Sequence, residues 1–412
     1  MIAGKYLSRS RLFRRLKNGS HGQLIERYAA RLVEDGRAQQ GTLRCLRIIG
    51  GLLSWITISR SRLTDLDEAM VERYLRDRAR KQSICPGDRP ALKRFLLLLR
   101  DAGVIAPAMP RRITPLDQIL AEFSGQLKER GLALGSIVRY VRTIRRFLFE
   151  VCPAGVKDLR KIDHADVVRY VERHARDGSP SSGKVMCSSQ RAFLRYLHHN
   201  GLNPVPLASC VPSTKQWKFA NLPTYLSAEQ VQKVLDSCNR ASAIGRRDYA
   251  ILMMLAKLGL RANEVATLKL DDIDWRSGEM CVHAKGRQRV RMPMPPDVGA
   301  AVVAYLRDGR PKSSCRRLFL RTLAPRVGFT SPAAITKIAK TALERAGIRG
   351  FAHHGAHLFR HSLATELLRS GATPSEIGQL LRHRSHDTTR IYAKVDIDTL
   401  RTLSLLWPGG VR

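Results

Sequence analysis

The residues best placed to do chemistry lie in one stretch, from His357 to Tyr392, HLFRHSLATELLRSGATPSEIGQLLRHRSHDTTRIY. It sets His357 and Arg360 three apart on one predicted helix, then His383, then Tyr392 nine residues later. Gly371 predicts the end of the first helix, because glycine tolerates the left-handed backbone that a helix C-terminus needs. Thr373, Pro374, Ser375 and Glu376 read as a capping box with proline at the first helical position, so a second short helix starts there. Two stiff helices would then present two imidazoles and a guanidinium, followed by a segment carrying a hydroxyl nucleophile. Such a set handles phosphate, because the guanidinium matches an anionic oxygen pair and the tyrosine can attack once its proton has a destination.

The elements that must position these groups begin near Leu226. Ser227 caps a short helix, and a longer one runs from Asp248 with Ile251, Leu252, Leu255 and Leu258 on its core face. Gly259 stops it, and Arg261 lies in the tight link to a helix carrying Asn263, Glu264 and Leu268. Residues 278–283 and 289–292 read as two short strands around the turn Ala284, Lys285, Gly286, Arg287. A tip with Lys285, Arg287, Arg289 and Arg291 cannot be buried. From Pro332 onward the pattern is helical again.

Upstream, residues 24–104 and 119–202 read as two diverged copies of one helical unit. Tyr28, Leu32, Gly36, Leu43, Leu46, Ile49 and Leu53 match Phe123, Leu127, Gly131, Val138, Val141, Ile144 and Leu148 at a constant offset of 95. Leu66 and Asp67 parallel Ile162 and Asp163, and both copies close on an apolar helix and a glycine, Gly103 and Gly201. Arg139, Arg142, Arg145 and Arg146 recur at helical spacing with no acid among them, which favours contact with phosphates. Arg44 and Arg47 echo the first two. Residues 203–224, with four prolines, read as a linker.

Lys and Arg outnumber Asp and Glu by 72 to 35, a net charge of +37 over 412 residues. So large an excess repels itself unless a polyanion offsets it, and nucleic acid is the commonest such partner. The first twenty residues hold six basic side chains and no acid; a flexible arm on DNA fits them better than a transit peptide. No secretory h-region follows, and no apolar run suits a membrane span. The eight cysteines are scattered singly, as in a reduced intracellular protein without a disulfide framework or cysteine zinc site.

Three blocks, LGLRANEVATLKLDDID, HAKGRQRVRMPM and HLFRHSLATELLRSGATPSEIGQLLRHRSHDTTRIYAKV, resemble those of the tyrosine recombinases, the phage-integrase family. The resemblance spans residues 116–405. It implies a mainly α, multidomain chain in which SAM-like helical domains precede an α-rich catalytic domain with a small β-sheet. The expected layout is a basic arm (1–20), an N-terminal helical domain for DNA or a partner (21–110), a core-binding domain (111–205), a linker (206–224), the catalytic domain (225–395) and a tail helix (396–412). Carried over by position, the resemblance makes Arg261 and Arg360 the catalytic arginines, Lys285 the hairpin lysine, His357 and His383 the histidines, and Tyr392 the nucleophile. Arg139, Arg142, Arg145, Arg146, Arg287 and Arg289 are the candidate DNA contacts.

Physical chemistry assigns compatible roles. Charge grows on the non-bridging oxygens of a phosphodiester in its pentavalent transition state, which two arginines suit better than lysines. A tyrosine with a pKa of about 10 needs a proton acceptor, for which His357 serves. The departing 5′-oxygen needs an acid, which Lys285 supplies, and His383 hydrogen-bonds a phosphate oxygen. The 3′-phosphotyrosine keeps the ester's energy, so rejoining needs no ATP, metal or other cofactor. The expected function is site-specific recombination, as an integrase or transposase acting on duplex DNA in a tetrameric synapse, with partner recombinases as a further option. The expected location is the bacterial cytoplasm, on the nucleoid. The alternatives are a catalytically accessory DNA-binding subunit, and a metal site at His353, His357 and His361, which lacks the glutamate of a zinc protease. The tail, with Leu400, Leu403, Leu406 and Trp407 on an amphipathic helix, would dock into a neighbouring protomer.

Overall fold

A computed structural model describes residues 11–107, 113–153, 155–176, 180–213, 224–283, 288–351, 355–383 and Thr389. These form sixteen α-helices and one three-stranded sheet. The chain divides into two compact units, one made of residues 1–108 with 222–412 and the other of residues 109–221.

The first unit opens with α1 (Arg11–Lys17), α2 (Gly22–Glu34), α3 (Gln39–Ile58), α4 (Glu68–Lys81) and α5 (Asp88–Asp101). Residues 11–17, expected within a flexible arm, form a helix because Phe13 has an apolar site to enter and is 2% exposed. By length and hydropathy α3 could cross a bilayer, but half of it is buried, with Leu46, Ile49 and Leu52 in the core of this bundle.

The second unit repeats that bundle with α6 (Pro115–Glu129), α7 (Leu134–Val151), α8 (His164–Arg176) and α9 (Pro180–His199). In both copies a short 3-10 turn precedes the third helix, at Leu63–Asp65 and Gly155–Lys161. The helix-ending glycines Gly36 and Gly131 have φ of 79° and 77°, and Gly103 and Gly201 have φ of 68° and 65°. Each closes a Schellman turn: Arg37 N–H donates to Leu32 O and Leu132 N–H to Leu127 O, both at 3.0 Å. Asp67 and Asp163 each accept the backbone N–H three residues on. The cores repeat too. Tyr28 meets Phe95 edge-on at 5.3 Å and 76°, and Phe123 meets Phe193 at 5.2 Å and 76°. Each pair adds about 0.5–1.5 kcal/mol beyond the area it buries. The two bundles thus share glycine-closed turns, a capping aspartate and an edge-on aromatic pair.

Part of the expected linker belongs to this second unit. Asn203 is buried, its amide donating to Leu159 O at 2.8 Å and Ile162 O at 3.1 Å, and Leu207 and Val211 enter the core. Residues 214–223 lie outside the described residues.

The remainder of the first unit comprises α10 (Ala228–Asp236), α11 (Ala243–Lys257), α12 (Ala262–Thr267), β1 (Ile273–Asp274), β2 (Glu279–His283), β3 (Arg289–Pro293), α13 (Pro296–Asp308), α14 (Pro332–Arg345), α15 (Ala356–Arg369) and α16 (Pro374–Leu380). The expected hairpin gains a third strand: β1 pairs antiparallel with β2, and β2 with β3, Cys281 facing Arg291. Helix α11 starts five residues before the expected Asp248, because the Ser242 hydroxyl accepts Gly245 N–H at 3.0 Å and fixes the first turn. It is buried on most sides, with Ile251, Leu252, Met254 and Leu255 at 0% exposure. A helix buried on most sides gives its C-terminal end little freedom, which matters for the loop carrying Arg261.

Candidate active site

Three segments meet around Arg360. Helix α15 carries it, 3% exposed, and its guanidinium donates to Gly259 O and Leu381 O. One side chain thereby ties the loop before Arg261 to the turn before His383. Gly259 sits at φ 56°, and a Cβ there would lie 2.7 Å from Leu381 Cδ2 and 3.1 Å from Leu363 Cδ2. Only glycine fits without displacing that turn. The turn follows α16, whose start is the predicted capping box: Thr373 Oγ1 accepts Glu376 N–H at 3.3 Å and Glu376 accepts Thr373 N–H at 2.8 Å. Gly371, at φ 87°, ends α15 as the sequence indicates.

Arg261 begins α12 and is held by Glu264. Its backbone N–H and its guanidinium donate to the two carboxylate oxygens at 2.9 and 2.8 Å, and a second guanidinium nitrogen donates to Arg382 O at 3.3 Å. Glu264, 3% exposed, also accepts Arg382 at 3.1 Å. Arg382 adopts φ 55°, which is uncommon for a residue with a side chain, and its side chain is 4% exposed. Burial pulls its pKa down while Glu264 pushes it up. One buried carboxylate thus orders two cations, an arrangement that stands only because all three charges are paired.

His383 lies beside these cations. Its Nδ1 is 2.8 Å from Thr389 Oγ1, and its backbone N–H donates to Gly378 O at 2.9 Å. Burial, then the charges of Arg360, Arg261 and Arg382, bring its pKa down to about 4. The ring is neutral at physiological pH, and a Thr389 hydroxyl donating to Nδ1 would place the ring proton on Nε2. His357 is exposed near the start of α15, and its ring lies tilted by 35° to that of His361, 6.3 Å between centroids.

Of the expected site residues, the structure therefore brings Arg261, Arg360 and His383 together and puts His357 on the same helix as Arg360. Lys285, Arg287 and Tyr392, along with residues 396–412 and the third histidine of the metal alternative, His353, lie outside the described residues. Arg289 opens β3 and is exposed. On α7 the stripe divides: Arg145 pairs with Asp117 at 2.6 Å and Arg146 with Glu150 at 3.7 Å, while Arg139 and Arg142 join no ion pair among the described residues. The acids that this sequence segment lacks come from α6 and from one turn further on. Glu264 and Arg382 were not singled out from the sequence; the signals were a carboxylate three residues after Arg261 and a cation directly before His383.

Comparison with known proteins places these features in context. Residues 224–398 match the phage integrase family, and residues 120–201 match the N-terminal SAM-like domain of phage integrases. The integrase/recombinase y4rA of Sinorhizobium fredii is 37% identical over 385 residues, covering 93% of this chain and 93% of that protein. Tyrosine recombinase XerD of Mycobacterium tuberculosis is 31% identical over 301 residues, 68% of this chain and 93% of its own. Among solved structures, XerH recombinase bound to palindromic difH substrate shares the fold with a TM-score of 0.55 at 18% identity, over 86% of this chain and 94% of that one. A lambda integrase tetramer bound to a Holliday junction gives 0.50 at 15% identity, over 76% and 88%.

Proposed function

Because the chain belongs to the phage integrase family and is a site-specific DNA recombinase of the tyrosine type, we propose that it cleaves and rejoins DNA with Tyr392 as nucleophile and Arg261, Lys285, His357, Arg360 and His383 as the assisting groups. The observation that carries this assignment is the double anchoring of Arg360 to Gly259 O and Leu381 O, which gathers Arg261 and His383 around one point. A scissile phosphate there meets two guanidinium groups and a neutral imidazole donor.

Tyr392 Oη forms the bond to phosphorus as its proton passes to His357. The bond from phosphorus to the 5′-oxygen breaks, and Lys285 gives that oxygen a proton. Arg261 and Arg360 take up the charge developing on the non-bridging oxygens, and His383 Nε2 donates to one of them. The 3′-phosphotyrosine then exchanges with a 5′-hydroxyl, reversing the sequence with a new partner strand. Neither metal nor nucleotide enters.

The DNA-bound state of XerH and the lambda integrase tetramer support duplex DNA as substrate and a tetrameric synapse as the working assembly. Integration or transposition of a mobile element in a bacterial cytoplasm, with or without partner recombinases, is the corresponding cellular role. Arg261→Lys tests the arginine assignment, since the point charge remains while the fork is lost. Cleavage of a DNA substrate should fall on the order of 10²–10³-fold with binding retained; unchanged cleavage would overturn the role.

A further inference from the structure

Helix α3 holds two charged residues in its twenty positions, Arg44 and Arg47. Both are exposed, and neither joins an ion pair among the described residues. Some arginines of the same bundle have acids beside them: Arg31 has Asp101, Arg80 has Asp77 and Arg89 has Glu72. The equivalent helix of the second copy, α7, carries arginine at the same two positions, Arg139 and Arg142, also exposed and outside the ion pairs described. Its other two arginines, which do pair with acids, correspond to Gly50 and Gly51 in α3.

The pattern separates two kinds of arginine. On these two helices the arginines that pair with acids, Arg145 and Arg146, have no counterpart in the other copy. The unpaired Arg44 and Arg47 recur as Arg139 and Arg142, although neighbouring positions on the same helix have changed from Ile48 to Thr143 and, in the core, from Leu52 to Phe147. A helix that only needed solubility could carry any polar residue there. Two cations at i and i+3 project from one face of a helix, and with no acid beside them they suit a row of phosphates.

We propose that residues 22–104 form a second duplex-binding module, gripping the phosphate backbone through Arg44 and Arg47 as the sister copy does through Arg139 and Arg142. The inference rests on the reading of α7 as a helix that faces DNA. It gives the extra N-terminal bundle a partner, duplex DNA read through its backbone and not its base sequence.

The test measures the salt dependence of full-length protein binding to random-sequence duplex DNA. Each phosphate contact contributes about 0.9 to the slope of log affinity against log salt, so Arg44→Ala with Arg47→Ala should lower it by about 1.8. Arg139→Ala with Arg142→Ala should lower it by a similar amount. If the second pair lowers the slope and the first does not, the inference fails while the reading of α7 stands, and a protein partner becomes the use of the bundle. If neither pair acts, the reading of α7 fails as well. An equal drop for the exposed pair Arg73→Ala with Arg76→Ala would reduce the effect to net charge and also overturn the proposal.

Discussion

At the scale of single residues, the site is governed by how charges are paired. Glu264 neutralises two cations from opposite ends of the catalytic segment, and removing a carboxylate from such a buried cluster leaves charge that water cannot reach. His383 shows the consequence of burial, with cations on several sides adding to it: its pKa falls from an ordinary 6.5 to about 4. The unfolded chain therefore takes up this proton before the folded chain does. Stability from this group is complete above pH 6.5 and is lost as the pH falls toward 4. An imidazole NMR titration of the DNA-free protein should show His383 still neutral at pH 5.5, a value between those two limits. A midpoint near 6.5 would contradict the surroundings described. Arg382 was hidden from sequence reasoning for a physical reason. Its backbone geometry is one usually filled by glycine, and its partner lies more than a hundred positions away.

At the scale of elements, local signals were legible wherever they were local. The Thr373 capping box and the terminating glycines Gly259 and Gly371 need only a few neighbouring residues to act, and the structure contains them as read. Strand β1 is only two residues long and pairs with β2 across a four-residue turn, too short to leave an alternating pattern. The docking of α1 depends on the apolar site that Phe13 enters, so spacing alone revealed neither. The two glycines nevertheless differ. At Gly371 a Cβ would meet nothing within 4 Å, whereas at Gly259 it would press on Leu381 and Leu363. Gly371→Ala should cost only the strain of its backbone, about 1–3 kcal/mol, and leave cleavage intact in the folded fraction. Gly259→Ala should cost more and also reduce cleavage, because its carbonyl anchors Arg360. Thermal unfolding and a cleavage assay on both variants check this, and equal behaviour would refute the anchoring role.

At the scale of the whole molecule, charge, repeat and catalytic blocks converge on one account. The net charge of +37 called for a polyanion; in the proposed function the two helical bundles give it surfaces and the residues around Arg360 give it the chemistry. The repeat was visible because apolar spacing and glycine breaks survive divergence, while the division of the arginine stripe into paired and unpaired members required the neighbouring helix to be in view. In the proposed reaction Tyr392 forms a covalent bond to DNA. A duplex carrying the recombination site, nicked so that the released strand diffuses away, traps that intermediate. Wild-type protein should migrate as a protein–DNA adduct that survives denaturation, and Tyr392→Phe should give none while still binding the duplex. An adduct of equal yield from the Tyr392→Phe protein would contradict the account.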